Sequence, residues 1–138
     1  MQLFSVKNSK SIIYLISALA IFYHLLILTG IVDYKNAWGG QLQNLEQMYV
    51  FESISLIIQI FIILLVSVTD KKFKSRLINT LILISLFFLS GLTALNTIGN
   101  LFAAELFEKV VFTPITLILS VLFFNLAKAR TKLNISSN

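Results

Sequence analysis

The chain has 138 residues, 57% of them hydrophobic and only 12% charged, with a mean hydropathy of +0.89. An ordinary soluble domain is about one quarter charged, so this composition argues against a soluble enzyme, a nucleic-acid binder and a disordered tail. The net charge of +5 lies mostly between apolar runs, and the absence of cysteine removes disulfides, thiolate metal sites and cysteine nucleophiles.

A helix that crosses about 30 Å of hydrocarbon needs roughly 20 residues. Four segments reach that length: TM1 at about 11–32, TM2 at about 49–69, TM3 at about 77–96 and TM4 at about 110–127. Lys7 and Lys10 ahead of TM1 resemble the start of a signal peptide. The apolar stretch is too long for one, and no small-x-small cleavage pattern occurs at Thr29–Asp33, so it is expected to be retained. The expected fold is all-α: a single integral membrane domain over residues 1–138. Its form is a four-helix up-down transmembrane bundle with short interfacial helices in the outer loops.

The connecting segments sort by charge. Lys7 and Lys10 precede TM1, Lys71, Lys72, Lys74 and Arg76 lie between TM2 and TM3, and Lys128, Arg130 and Lys132 follow TM4. The acids Asp33, Glu46, Glu52, Glu105 and Glu108 lie toward the opposite side. The positive-inside rule then predicts a multi-pass protein of the cell membrane, of inner-membrane type, with both termini cytoplasmic. An even number of spans agrees. The basic clusters also favour contact with membrane lipids.

Each span carries a polar stripe at helical spacing. In TM1 it runs through Tyr14, Ser17 and His24; in TM2 through Glu52, Ser55 and Gln59. In TM3 it is Ser90, Thr93, Thr97 and Asn100 with Asn96 beside it, and in TM4 Thr113, Thr116 and Ser120. Unpaired polar groups are costly in lipid, so the stripes are expected to point inward. Most of the serines and threonines need no reading beyond interhelical glue, and Asn79 and Asn125 sit near the cytoplasmic ends. Counted from Ser11, His24 lies roughly 18 Å deep, just past the midplane. Gln59 reaches a similar depth from the other side. The expectation is an outward-opening polar pocket lined by His24, Glu52, Gln59 and Asn96. A hydrogen bond from His24 to Glu52 or Gln59 that only fixes helix register is the structural alternative.

The first outer loop, Asp33–Met48, is longer than a helical hairpin needs. Tyr34 and Trp38 favour the headgroup region, and they are expected to close the mouth of the pocket. Gly39-Gly40 allows a tight turn. Gln41–Met48 has the spacing of a short interfacial helix running into TM2. In the third loop, Leu101–Val111 is a second helical candidate. Gly99 is placed to break TM3, and Pro114 either starts TM4 or kinks a longer helix.

No metalloprotease, serine-hydrolase or phosphate-loop motif occurs. One histidine with scattered carboxylates is a thin metal-ligand set, and neither metal nor cofactor is expected. Glu105 and Glu108 form an i,i+3 carboxylate pair that a solvated helix face explains as well as function does. Quinone-linked oxidoreductases of the vitamin K type need cysteines. Small four-helix multidrug exporters carry a first-span carboxylate where this chain has His24. His24, Gly30, Trp38-Gly39-Gly40, Met48 and Phe51-Glu52, in about the first third of the chain, resemble a pattern of small bacterial membrane proteins; the resemblance implies no activity.

The function expected from these features is non-catalytic. The pocket would bind a small ligand or lipid headgroup, or the chain would partner another membrane protein. The alternatives are an oligomeric channel or transporter for ions or small solutes, and an enzyme acting on a lipid-linked substrate with Glu52 as base and His24 as acid. No nucleic-acid partner is expected; a homo-oligomer is compatible with the pattern.

Overall fold

The computed structural model describes residues 4–103, 106 and 108–135. Its long helices are α1 (Val6–Leu28), α2 (Leu45–Ser67), α3 (Arg76–Leu101) and α4 (Thr113–Ile135). All four are long and apolar enough to cross a membrane. The protein is an all-α, multi-pass membrane four-helix bundle.

Hydropathy and helix do not end at the same places. Ser5, Asn44 and Ser75 accept from the amides of Asn8, Gln47 and Ile78 at 3.1, 2.8 and 3.4 Å. These caps satisfy orphan first-turn donors. They start α1 at Val6 rather than Ser11 and α2 at Leu45 rather than Tyr49. At the other end of the chain, α4 continues through Lys128, Arg130 and Lys132 to Ile135. Lysine and arginine are good helix formers, so charge marks the edge of hydrocarbon and not the end of the helix.

The outer loops also differ in detail from their sequence reading. The first holds two 3-10 turns, Tyr34–Asn36 and Trp38–Gly40, and the stretch from Gln41 to Met48 is helical only from Leu45. α3 passes through Gly99 and ends at Leu101. Ala104, Glu105 and Phe107 of the second helical candidate lie outside the described residues, as does the side chain of Glu108. A π-helical turn, Glu108–Phe112, leads into α4 without a break. Pro114 is thus the second residue of α4 and also lies within a longer helical run. It has no amide proton for the preceding turn, and single π-turns occur where the regular ladder is interrupted.

α1 packs on α2, α3 on α4, and α1 on α4, while α2 and α3 meet at few points. Two clusters fill the interior. Toward the basic end, which carries the termini and the α2–α3 connection, Ile13, Val66, Leu86, Leu122, Phe123 and Leu126 form a dry core. Toward the far end, Ile27, Ala37, Leu42 and Met48 form a smaller one beneath the first loop.

The polar stripes of α3 and α4 act partly as glue. Ser90 Oγ donates to the Ser120 carbonyl and Ser120 Oγ to the Ser90 carbonyl, both at 2.9 Å. The small side chains let the two backbones approach closely.

At the basic end Asn125 Nδ2 donates to the Phe4 carbonyl at 2.7 Å and to Ser9 Oγ at 2.8 Å, tying α4 to the start of α1. Lys10 Nζ reaches Asp70 Oδ1 at 2.7 Å. That hydrogen bond holds the Asp70 carboxyl below its ordinary value of 3.8. The pair stabilises the fold above that value, and its contribution is lost as pH falls through the lowered one. Because the Asp70 side chain is 57% exposed, screening keeps the effect small. Asp70→Asn is expected to cost at most about 0.5 kcal/mol at pH 7 and progressively less as pH falls below 3.8, measured by unfolding in micelles.

Candidate functional site

Glu52 lies two turns into α2 and is fully buried. With Ser55 and Gln59 it occupies one face of that helix, as the i, i+3, i+7 spacing requires. The face meets α1 one turn before its end. There His24 Nδ1 lies 2.6 Å from Glu52 Oε2. The other carboxylate oxygen, Oε1, accepts from Trp38 Nε1 at 2.9 Å. Both oxygens of a buried acid therefore have a partner.

Trp38 arrives there through an uncommon backbone conformation. Its φ is +55°, in the left-handed region that a bulky residue rarely adopts. Such a residue persists where its surroundings over-determine it. Here the determinants are the hydrogen bond to Glu52 and an edge-on contact with Phe51, ring centroids 5.2 Å apart. Gly40, at φ +73°, helps turn the chain back toward α2.

The indole N–H can only donate, so Oε1 is fixed as an acceptor. A short contact between Nδ1 and Oε2 holds one proton between them. The second ring nitrogen, Nε2, has no protein partner among the described residues.

Beside this cluster the bundle is not filled. A cavity of about 510 Å³ lies between α1 and α4, with Ile16, Leu19, Ala20, Ile115 and Leu119 on its walls. A second, of about 360 Å³, reaches Ser55 and Ile58 on α2 and Asn96 on α3. His24, Trp38, Gln59, Asn100, Phe112 and Thr116 border both. The two spaces are therefore the sides of one crevice between the hairpins α1–α2 and α3–α4.

The residues singled out from sequence are distributed unevenly. His24, Glu52 and Trp38 form one hydrogen-bonded cluster, and Gln59 borders both cavities. Asn96 borders only the second and is exposed. Tyr34 packs against the cluster of Ile27 and Ala37 and borders neither. α1 ends at Leu28, so His24 lies one turn from its far end.

Asn100 and Thr116 were visible as stripe members but not as wall residues. They approach at 3.4 Å, next to Thr97 Oγ1, which is 3.0 Å from Thr116 Oγ1. Phe112, in the π-turn, carried no sequence signal. Among the described residues, no three histidines, cysteines or acids are grouped as a metal-ligand set. No family model, curated protein or solved structure matches this chain.

Proposed function

We propose that this is a non-catalytic membrane protein whose crevice receives a small ligand or a lipid headgroup. The basic end faces the cytoplasm, as the positive-inside rule directs, and the crevice opens in the outward half. The observation that carries the reading is a cluster: Glu52, a fully buried carboxylate that lines neither cavity itself, is held on both oxygens by His24 and Trp38, and those two side chains border the unfilled crevice. Ionisable groups within spans are costly, and they mark functional sites by default. A pair that served only helix register needs no open space beside it. In this reading Glu52 orients His24, whose Nε2 is offered to the ligand. Gln59 and Asn96 supply further polar contacts, and Trp38 closes the mouth with Tyr34 behind it.

Native mass spectrometry from lipid tests this. The wild-type chain is expected to carry a copurifying mass, and His24→Ala to lose it at least tenfold. His24→Gln keeps a donor for Glu52 but removes the imidazole, so its loss of the adduct would separate binding from folding. Equal, bare masses in all three proteins would overturn the proposal. The same spectra report subunit number.

A further inference from the structure

Resting on that reading, we infer that the occupant is an amphiphile with one apolar chain and an uncharged, carbonyl-bearing head, entering sideways from the bilayer between α1 and α4. Three features of the crevice point there.

The first is its gradient. Toward the basic end the larger cavity is walled by Ile16, Leu19, Ala20 and Leu119, all apolar. Toward the far end it meets His24, Asn100 and Thr116, with Gln59 about two turns nearer the basic end than the Glu52 that pairs with His24. From Ile16 to Ile27 the wall rises about 16 Å, enough for an extended chain segment with its head at one end. A small polar solute would leave most of that wall empty.

The second is access. The dry core around Ile13 and Leu122 seals the basic end. At the far end Ile27 and Ala37, 1% and 4% exposed, are packed under the first loop. The side remains. Leu19 lines the cavity and is also 60% exposed, so the wall there opens onto the surface that faces lipid. A ligand dissolved in the bilayer reaches this opening directly; one dissolved in water does not.

The third is the chemistry of the polar end. The Gln59 amide has no protein partner among the described residues and donates hydrogen bonds, and His24 Nε2 is likewise left to a ligand. No lysine or arginine is among the described lining residues, so an anionic head would find no compensating cation there. A carbonyl oxygen accepts from the Gln59 amide and brings no charge. Ester lipids and long-chain ketones both carry that head.

Trp38, the only tryptophan, borders the crevice and serves as the reporter. The probe is methyl 6,7-dibromostearate, titrated into nanodiscs of unbrominated phosphatidylcholine that hold the full chain. Trp38 quenching is expected to saturate at low mole fraction. Ala20→Phe, which fills the apolar wall, is expected to raise the half-saturation point at least tenfold with far-UV circular dichroism unchanged. Ala20→Leu serves instead if the phenylalanine variant loses helicity. Sodium 6,7-dibromostearate has the same chain and an anionic head, and is expected to bind at least tenfold more weakly.

Linear quenching that is identical in wild type and variant overturns the inference, as does tighter binding of the anionic probe. If quenching is linear while native spectra still show a water-soluble adduct that depends on His24, the binding reading stands and the amphiphile falls. With no adduct of any kind, both fall.

Discussion

Replacing Arg130 by methionine is expected to lower the unfolding free energy by about 3 kcal/mol. Arg130 is 1% exposed on α4. Its Nη1 donates to the carbonyls of Thr69, at 2.9 Å, and Lys71; its Nη2 donates to Asn79 Oδ1 at 2.5 Å. Asn79 in turn brackets Phe73, accepting from its amide at 3.1 Å and donating to its carbonyl at 2.7 Å. One guanidinium therefore ties α4 to the α2–α3 connection and to the start of α3. Methionine has a similar volume, so the substitution removes the hydrogen bonds with little loss of packing, takes the arginine donor from the Thr69 and Lys71 carbonyls, and leaves Asn79 Oδ1 with the Phe73 amide alone. Lysine presents a single ammonium instead of a planar fork and is expected to recover only part of the loss. Equilibrium unfolding in mixed micelles, followed by far-UV circular dichroism, measures the cost. Trypsin cleavage between Lys71 and Arg76 is expected to accelerate in parallel. A loss below about 1 kcal/mol would mean that the connection holds itself.

Arg130 also shows where sequence reading stopped. In the sequence it is one of three basic residues after an apolar run, and orientation in the membrane accounts for all three. Its burial follows from α4 continuing for two turns beyond Ala127, which hydropathy does not register. The four spans themselves were legible because about 20 consecutive apolar residues have few other uses. Their ends were not, because Ser5, Asn44 and Ser75 act through local hydrogen bonds that an averaged hydropathy ignores. The first loop depended on backbone angles, and nothing in the string Ala37-Trp38-Gly39-Gly40 announces a left-handed tryptophan.

The candidate site was legible to the same degree. His24 and Glu52 stand out because ionisable groups are rare in spans, but spacing from the expected span ends puts His24 level with Gln59, whereas the folded chain pairs it with Glu52. Asn96 and Asn100 show the limit. They are four residues apart on α3, yet Asn100 reaches both sides of the crevice and Asn96 only one. Helix rotation decides between them, and the weak packing of α2 on α3 leaves no pattern from which to infer it. The sequence places Trp38 in the headgroup region at the mouth of the pocket, and the residue is 43% exposed. Its bond to Glu52 needed the fold of the loop.

The second large effect is expected at Glu52. Glu52→Ala removes the acceptor for two buried donors and is expected to cost about 3 kcal/mol in the same unfolding measurement. Glu52→Gln is expected to cost about 1 kcal/mol. Its carbonyl still accepts from Trp38, and its amide donates to His24 once the ring proton moves to Nε2. The two variants therefore separate the need for a hydrogen-bonding side chain from the need for an acid. Trp38 gives an independent readout. Without Glu52, only the Phe51 contact is left of the two that hold its φ at +55°, and the indole is expected to leave the wall. Acrylamide quenching of Trp38 is expected to increase in Glu52→Ala and to stay near the wild-type level in Glu52→Gln. A Glu52→Ala, Trp38→Phe double-mutant cycle is expected to give a coupling of about 1–2 kcal/mol. No coupling, with quenching unchanged in Glu52→Ala, would mean that the loop holds Trp38 in place without the carboxylate.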